Sequence, residues 1–203
     1  MLVIFNENTY IRNTLYGFNS SNQDMEMNYL SSAIKQFEYY KLLAEKTFDQ
    51  LSDEQLFYQT NGESNSIATI VKHLSGNMNS RWTDFLTSDG EKEWRNRDSE
   101  FDSAITTKKE LLEKWNEGWQ CLFEVLHSLT ADDLSKTVYI RNQEHSVLEA
   151  INRQLAHYPY HVGQIVYIGK MLCDLRWQSL SIPKGQSESY NADKFRVGRN
   201  KKR

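Results

Sequence analysis

The sequence predicts an all-α fold, a four-helix bundle with a short β hairpin or strand before its last long helix. Three observations predict it. Four stretches of about 20 residues or more repeat apolar side chains at steps of three, four and seven, the spacing that gathers them on one helical face. Only 2 prolines and 9 glycines occur in 203 residues, so long elements run without breakers. Ser, Thr and Asn stand ahead of these stretches, where helix N-caps belong. Four helices, each with one apolar stripe, bury those stripes together as a bundle.

The first helix is expected over 28–51, where Leu30, Ile34, Phe37, Ala44, Phe48 and Leu51 share a face. Ahead of it, residues 1–26 are rich in Asn and Ser and lack sustained periodicity; they are expected as an appendage to a domain covering 27–190. The segment TNGESNS breaks the pattern, and Asn65 or Ser66 caps a second helix over 66–86. The charged stretch 87–103, with its Asp89-Gly90 turn signal, reads as a long polar connection. Thr107 and Glu110 form a capping box that opens a third helix over 107–129, lined by Leu111, Trp115, Trp119, Leu122 and Leu126. KTVYI, residues 136–140, suits one short strand or hairpin arm. A second capping box, Ser146 with Glu149, opens the fourth helix over 146–173. Residues 191–203 form a basic tail.

A formal charge of −3 provides no broad field for nucleic acid or an anionic membrane. The basic tail lacks interleaved aromatics beyond Phe195 and reads as a solvated end. Cys121 and Cys173 have no CxxC spacing and are expected as buried free thiols. No apolar run approaches 18 residues, and the opening MLVIFNENTY has no basic n-region. These features lead to the expectation of a soluble cytoplasmic protein without nucleic-acid or membrane partners.

The segment LAHYPYHVGQ, residues 155–164, sets His157 and His161 one turn apart on the fourth helix, with Pro159 between them. Their Cβ atoms then lie about 5–6 Å apart on one face, and two imidazole nitrogens reach one ion at about 2.0–2.1 Å. An H-x-x-x-H pair also arises on helix surfaces without a metal. Pro159 removes a backbone bond and crowds the carbonyl of Leu155, so a bend is expected; it either aims the imidazoles or is a packing kink.

Projected at about 100° per residue, the histidines share a side with Ala150, Gln154, Gln164 and Ile168, at the margin of the stripe of Ile151, Leu155, Tyr158, Val162 and Ile165. There Gln154 and Gln164 either orient the imidazoles or stand as half-exposed glutamines. A catalytic zinc site wants three protein ligands and a structural one four. The candidate third ligand is His73, inside the second helix at the edge of Ile67, Ile70, Leu74 and Met78, with Asn77 and Ser80 on its side. A satisfied core-edge histidine is the alternative there. His127 and His145 read as surface or capping residues.

IATIVKHLSGNMNSRW on the second helix and RQLAHYPYHVGQIVYIGKML on the fourth resemble the DinB-like, bacillithiol-transferase-like superfamily of bacterial four-helix-bundle metalloproteins. The shared pattern is one histidine in helix two and H-x-x-x-H followed by Gly-Gln in helix four, here His73, His157, His161, Gly163 and Gln164. NGESNSIATIVKHL, TDFLTSDGEKEWR and WQSLSIPKGQSESYN are similar to an uncharacterised branch, so the likeness covers residues 28–190. The resemblance implies a divalent metal, zinc or nickel, held by the three imidazoles in an open coordination sphere, and a homodimer. It also implies transfer or isomerisation chemistry with a low-molecular-weight thiol such as bacillithiol or mycothiol, or hydrolysis, acting on a small-molecule substrate.

Three neutral imidazoles leave the ion's charge uncancelled, so a coordinated thiol is deprotonated and a coordinated water falls from about 15.7 to about 7. No Asp or Glu lies beside the pair on the inward side of the fourth helix, so no general acid or base is assigned. That absence favours thiol S-transfer over hydrolysis. Asn77, Gln154 and Gln164 are expected to line the site. A bundle in which the metal merely ties helix two to helix four is the non-catalytic alternative.

Overall fold

A computed structural model describes residues 7–102 and 105–196, with side chains from Gln23 onward. Residues 1–6 of the expected appendage and 197–203 of the basic tail lie outside the described residues. The elements are α1, Glu7–Phe48; α2, Asp53–Phe57; α3, Ile67–Trp82; α4, Lys108–Ser128; β1, Thr137–Ile140; β2, Gln143–Ser146; α5, Val147–Cys173; and α6, Ser187–Arg196. The four long helices form the expected all-α bundle, α3 packing most extensively on α4 and α1 on α5.

Caps fix the helix starts. Ser66 accepts the Thr69 backbone N–H at 3.1 Å ahead of α3, and the Thr107–Glu110 and Ser146–Glu149 capping boxes open α4 and α5. The ends hold two differences from expectation. Helix α3 stops at Trp82 instead of 86, because the chain turns through Asp84 with φ of 49°. Helix α1 begins at Glu7 instead of 28; the stretch ahead of Leu30 lacks an apolar stripe but also lacks proline, and extending a packed helix is far easier than nucleating one. The single turn of α2, opened by a Ser52–Gln55 capping box, and the surface helix α6 were not anticipated, since neither carries a sustained apolar period.

The predicted short strand is one arm of a hairpin, with Val138 opposite His145 and a turn at Arg141 and Asn142, both at positive φ (54° and 58°). Two such residues match the right-handed twist of the strands. The Asp89 carboxylate accepts the backbone N–H groups of Arg141 (2.9 Å) and Asn142 (2.7 Å), and the Gly90 N–H donates to the Tyr139 carbonyl (2.8 Å). The stretch expected as a plain connection is thereby pinned to the hairpin through Asp89 and Gly90.

The core is aromatic. Phe37 of α1, Trp115 and Trp119 of α4 and Tyr158 of α5 are fully buried, and Trp119 meets Phe37, Trp115 and Tyr158 at centroid distances of 6.2, 5.4 and 5.9 Å. Gly118 lets α4 lie close to α3: a Cβ there would sit 2.9 Å from the Ser75 Cα. Cys173 is buried, Cys121 is half-buried, and both thiols are free. Among the described residues no helix is long and apolar enough to cross a membrane.

Candidate metal centre

His73 sits in the second turn of α3 with its side directed at α5, and is 5 % exposed. His157 and His161 face it from successive turns of α5, half-buried. Helix α5 runs unbroken through Pro159, and the two rings turn inward: their centroids lie 5.5 and 4.9 Å from that of His73 and 4.9 Å from each other. One ring nitrogen from each histidine falls within 4.8 Å of the others, the spacing of ligands around a single ion. The Nε2 atoms of His73 and His157 approach to 3.4 Å.

The opposite ring nitrogens are each matched to an oxygen. His73 Nδ1 lies 2.8 Å from Glu100 Oε2, His157 Nδ1 3.2 Å from Gln154 Oε1, and His161 Nδ1 2.9 Å from Gln164 Oε1. A carboxylate or amide oxygen only accepts, so these contacts favour a proton on each Nδ1 and leave the other ring nitrogen of each histidine on the side of the centre. The two glutamines therefore orient their imidazoles. Burial and the neighbouring imidazoles push His157 down to about 3, and burial also lowers His161, so both rings are neutral at physiological pH.

Glu100 is the residue the sequence reading missed. It comes from the stretch taken as a connection, at the end of a single 3₁₀ turn, Asp98–Glu100, and is 5 % exposed. Arg95 grips it as a fork, Nε to Oε1 at 2.7 Å and Nη2 to Oε2 at 3.0 Å. Burial alone would raise the Glu100 carboxyl, but hydrogen bonds from His73 and Arg95 outweigh it and hold the group below the ordinary range. The available sequence signal was Gly76. A glycine inside a helix, one turn beyond His73, marks a place where another segment comes close; a Cβ there would lie 2.9 Å from the Glu100 Cδ.

Asn77 lines the cavity over the imidazoles, and its Oδ1 accepts from the buried Tyr158 hydroxyl at 3.1 Å; that hydroxyl accepts from Trp82 Nε1 at 3.0 Å. Ser80 turns away, donating to the Gly90 carbonyl at 3.0 Å. His127 is exposed, and His145 lies in the hairpin with its ring on the Gln143 carbonyl, so neither joins the cluster. A cavity of about 550 Å³ opens over the three imidazoles, floored by Asn77 and Gln154 and walled on one side by Phe101, whose ring stacks on His73 at 5.2 Å.

The model of a family described as proteins of unknown function, DUF1572, matches residues 24–186. The chain belongs to this family. No curated protein matches the sequence. In this DUF1572 protein every residue of the centre, Glu100 included, lies inside the matched span, while the first 23 residues and the chain beyond 186 lie outside it.

Proposed function

We propose that His73, His157 and His161 hold one divalent ion, zinc or nickel, and that this DinB-like bundle is a metal-dependent enzyme joining a low-molecular-weight thiol, such as bacillithiol, through its sulfur to an electrophilic carbon of a small substrate. One observation carries the reading: one ring nitrogen from each histidine lies within 4.8 Å of the others while each Nδ1 is already matched to a carboxylate or amide oxygen. Neutral imidazoles with fixed tautomers are what such a site needs, and the cavity above them leaves room for further ligands. The ion would supply Lewis acidity that makes a coordinated thiol or water nucleophilic near neutral pH.

The protein's own groups do the rest. Glu100 fixes the His73 ring and offsets part of the ion's charge, while Arg95 keeps that carboxylate ionised. Because Glu100 is committed to both partners, it is not free to take a proton from substrate, and no carboxylate lines the cavity among the described residues. This supports a nucleophile activated by coordination over one needing a general base, and so S-transfer over hydrolysis. Asn77, with its Oδ1 on Tyr158, presents its amide N–H groups to a substrate in the cavity. The homodimer belongs to the same proposal.

Elemental analysis of the purified chain should find one metal per chain, lost in His73→Ala, His157→Ala and His161→Ala. A screen of electrophiles with and without small thiols should give thiol-dependent turnover lost in the same variants. Turnover in water alone would make the protein a hydrolase; unfolding on chelation with no turnover would make the metal structural. Sedimentation analysis reads the dimer directly.

A further inference from the structure

Helix α3 carries more than one ligand to this cavity. His73, Asn77 and Arg81 follow at four-residue steps, so their side chains line one ridge. Arg81 is 4 % exposed, yet its Nε and Nη1 are buried without a hydrogen-bond partner among the described residues. Native proteins rarely leave a buried guanidinium unpaired, because five fixed donors and a charge are then stripped of water with nothing in return. The side chain is held in place by packing: Gly90, fastened by Ser80 and Tyr139, lies against it, and a Cβ at position 90 would sit 2.6 Å from Nη1.

The surroundings have the same sign. Arg97, Arg141 and Arg153 also line the cavity, and no Asp or Glu among the described residues does. Arg95 is neutralised by Glu100 and Glu91, and Arg141 shares Glu91 at 3.3 Å. Arg97 lies over the Phe101 ring, and Arg153 has no ion-pair partner among the described residues. A protein of net charge −3 thus concentrates uncompensated positive charge on one cavity wall.

We propose that the substrate carries an oxyanion, a carboxylate or phosphate, that Arg81 grips through its free guanidinium edge while Asn77 donates from its amide. The idea rests on the metal-centre reading for what reacts, but not for what binds. Eight residues separate His73 from Arg81, about 12 Å along the helix, and both side chains reach inward from that ridge. The molecule that fits is therefore small enough to span about 12 Å or less between its reacting atom and its anionic end. A planar fork against a two-oxygen edge fixes orientation as well as charge, which a lysine would not do.

The test is calorimetric titration of the full chain, as purified and after dialysis against EDTA, with succinate, inorganic phosphate and the neutral succinamide. Saturable binding of succinate or phosphate to the EDTA-treated protein is expected, with none for succinamide. Arg81→Gln should lose at least tenfold in affinity, Arg81→Lys less, and Arg153→Gln, an exposed rim change that leaves the core untouched, a smaller but measurable amount. The tighter of the two anions assigns carboxylate or phosphate. Arg81→Gln should also melt at or above the wild-type temperature, since it removes an unpaired buried cation. Equal anion affinity in wild type and Arg81→Gln, or no saturable anion binding to wild type, overturns the proposal; a lower melting temperature with unchanged affinity would make Arg81 structural and overturn it too. Failure of the metal reading would be seen separately, as absence of metal from a chain that still binds the anion through Arg81.

Discussion

Replacing Gly76 by alanine sets a local preference against the metal centre. In a helix interior Gly→Ala normally stabilises by about 0.8–1.0 kcal/mol. Here the new Cβ would lie 2.9 Å from Glu100 Cδ, where ordinary contact begins at 3.4 Å, so the carboxylate must retreat by about 0.5 Å or more. It has nowhere free to go, since it is held at 2.8 Å by His73 and at 2.7 and 3.0 Å by Arg95. Retreat from α3 stretches the His73 bond first, because that ring is on α3 itself. A hydrogen bond to a charged group contributes about 1.5–3 kcal/mol, so the clash outweighs the propensity gain by about 0.5–2 kcal/mol. For a chain of this size that lowers Tm by about 1–8 °C, and the loosened His73 costs about 10–100-fold in metal affinity. Differential scanning calorimetry of EDTA-treated protein reads the first effect and zinc competition titration the second. Gly163 on α5, with nothing within 4 Å of its would-be Cβ, is the internal control: Gly163→Ala should stabilise by up to about 1 kcal/mol. A Gly76→Ala protein that melts at or above wild type and binds zinc unchanged would refute the reasoning.

Tyr158→Phe strips the hydroxyl that joins Trp82 to Asn77 and leaves two buried groups unpaired; urea unfolding should register a loss of about 2–4 kcal/mol, and a loss under 1 would show the network to be dispensable. Gly118→Ala drives a methyl toward the Ser75 backbone and should destabilise by about 1–3 kcal/mol, against the gain that propensity alone gives. In metal-free protein His157 titrates near 3 when folded but near 6.5 when unfolded. The unfolded state therefore takes the proton first, and stability should fall as pH drops from 6.5 toward 3, by up to about 1.4 kcal/mol per unit. His157→Gln should flatten that slope, and identical urea-midpoint profiles from pH 7 to 4 would contradict the assignment. The Asp133 carboxylate, hydrogen-bonded by Lys136 and Thr130, is held down at about 2. Its contribution should be complete above about pH 5 and fade as pH falls through 3.8 toward 2; a carbon-13 NMR midpoint of 3.8 would rule the interaction out.

The bundle was legible because its helices carry their instructions locally. Ser66, Thr107 and Ser146 cap where they were expected to, and of the projected stripe Ile151, Tyr158, Val162 and Ile165 are fully buried while Leu155 is half-buried. The histidine triad was legible too, since four-residue spacing on α5 and a core-edge histidine on α3 leave few ways to pack without meeting. What escaped depends on chain reversal. Glu100 and Arg95 lie in a charged stretch with no period, and a polar residue's burial there is decided by the Asp89 and Gly90 contacts to the hairpin, which no local pattern encodes. Arg81 escaped for a related reason, because its burial is made by Gly90 closing over it.

The same contacts explain how a fold this size tolerates its site. Three imidazoles crowded nitrogen to nitrogen and a buried guanidinium without hydrogen-bond partners among the described residues are each unfavourable on their own, since ring nitrogens face one another and a charge lies out of water. They persist because hydrogen-bonded chains hold the frame beneath them. The Trp82–Tyr158–Asn77 chain ties α3 to α5 through the aromatic core, and the Arg95–Glu100–His73 chain ties the loop to α3. Strain of this kind is relieved by whatever binds, and a ligand that binds only the folded state adds stability as RT ln(1 + [L]/Kd). A site whose cost is relieved by a cation at one end and an anion at the other, both along a single ridge of α3, is organised to hold a polar substrate in one orientation.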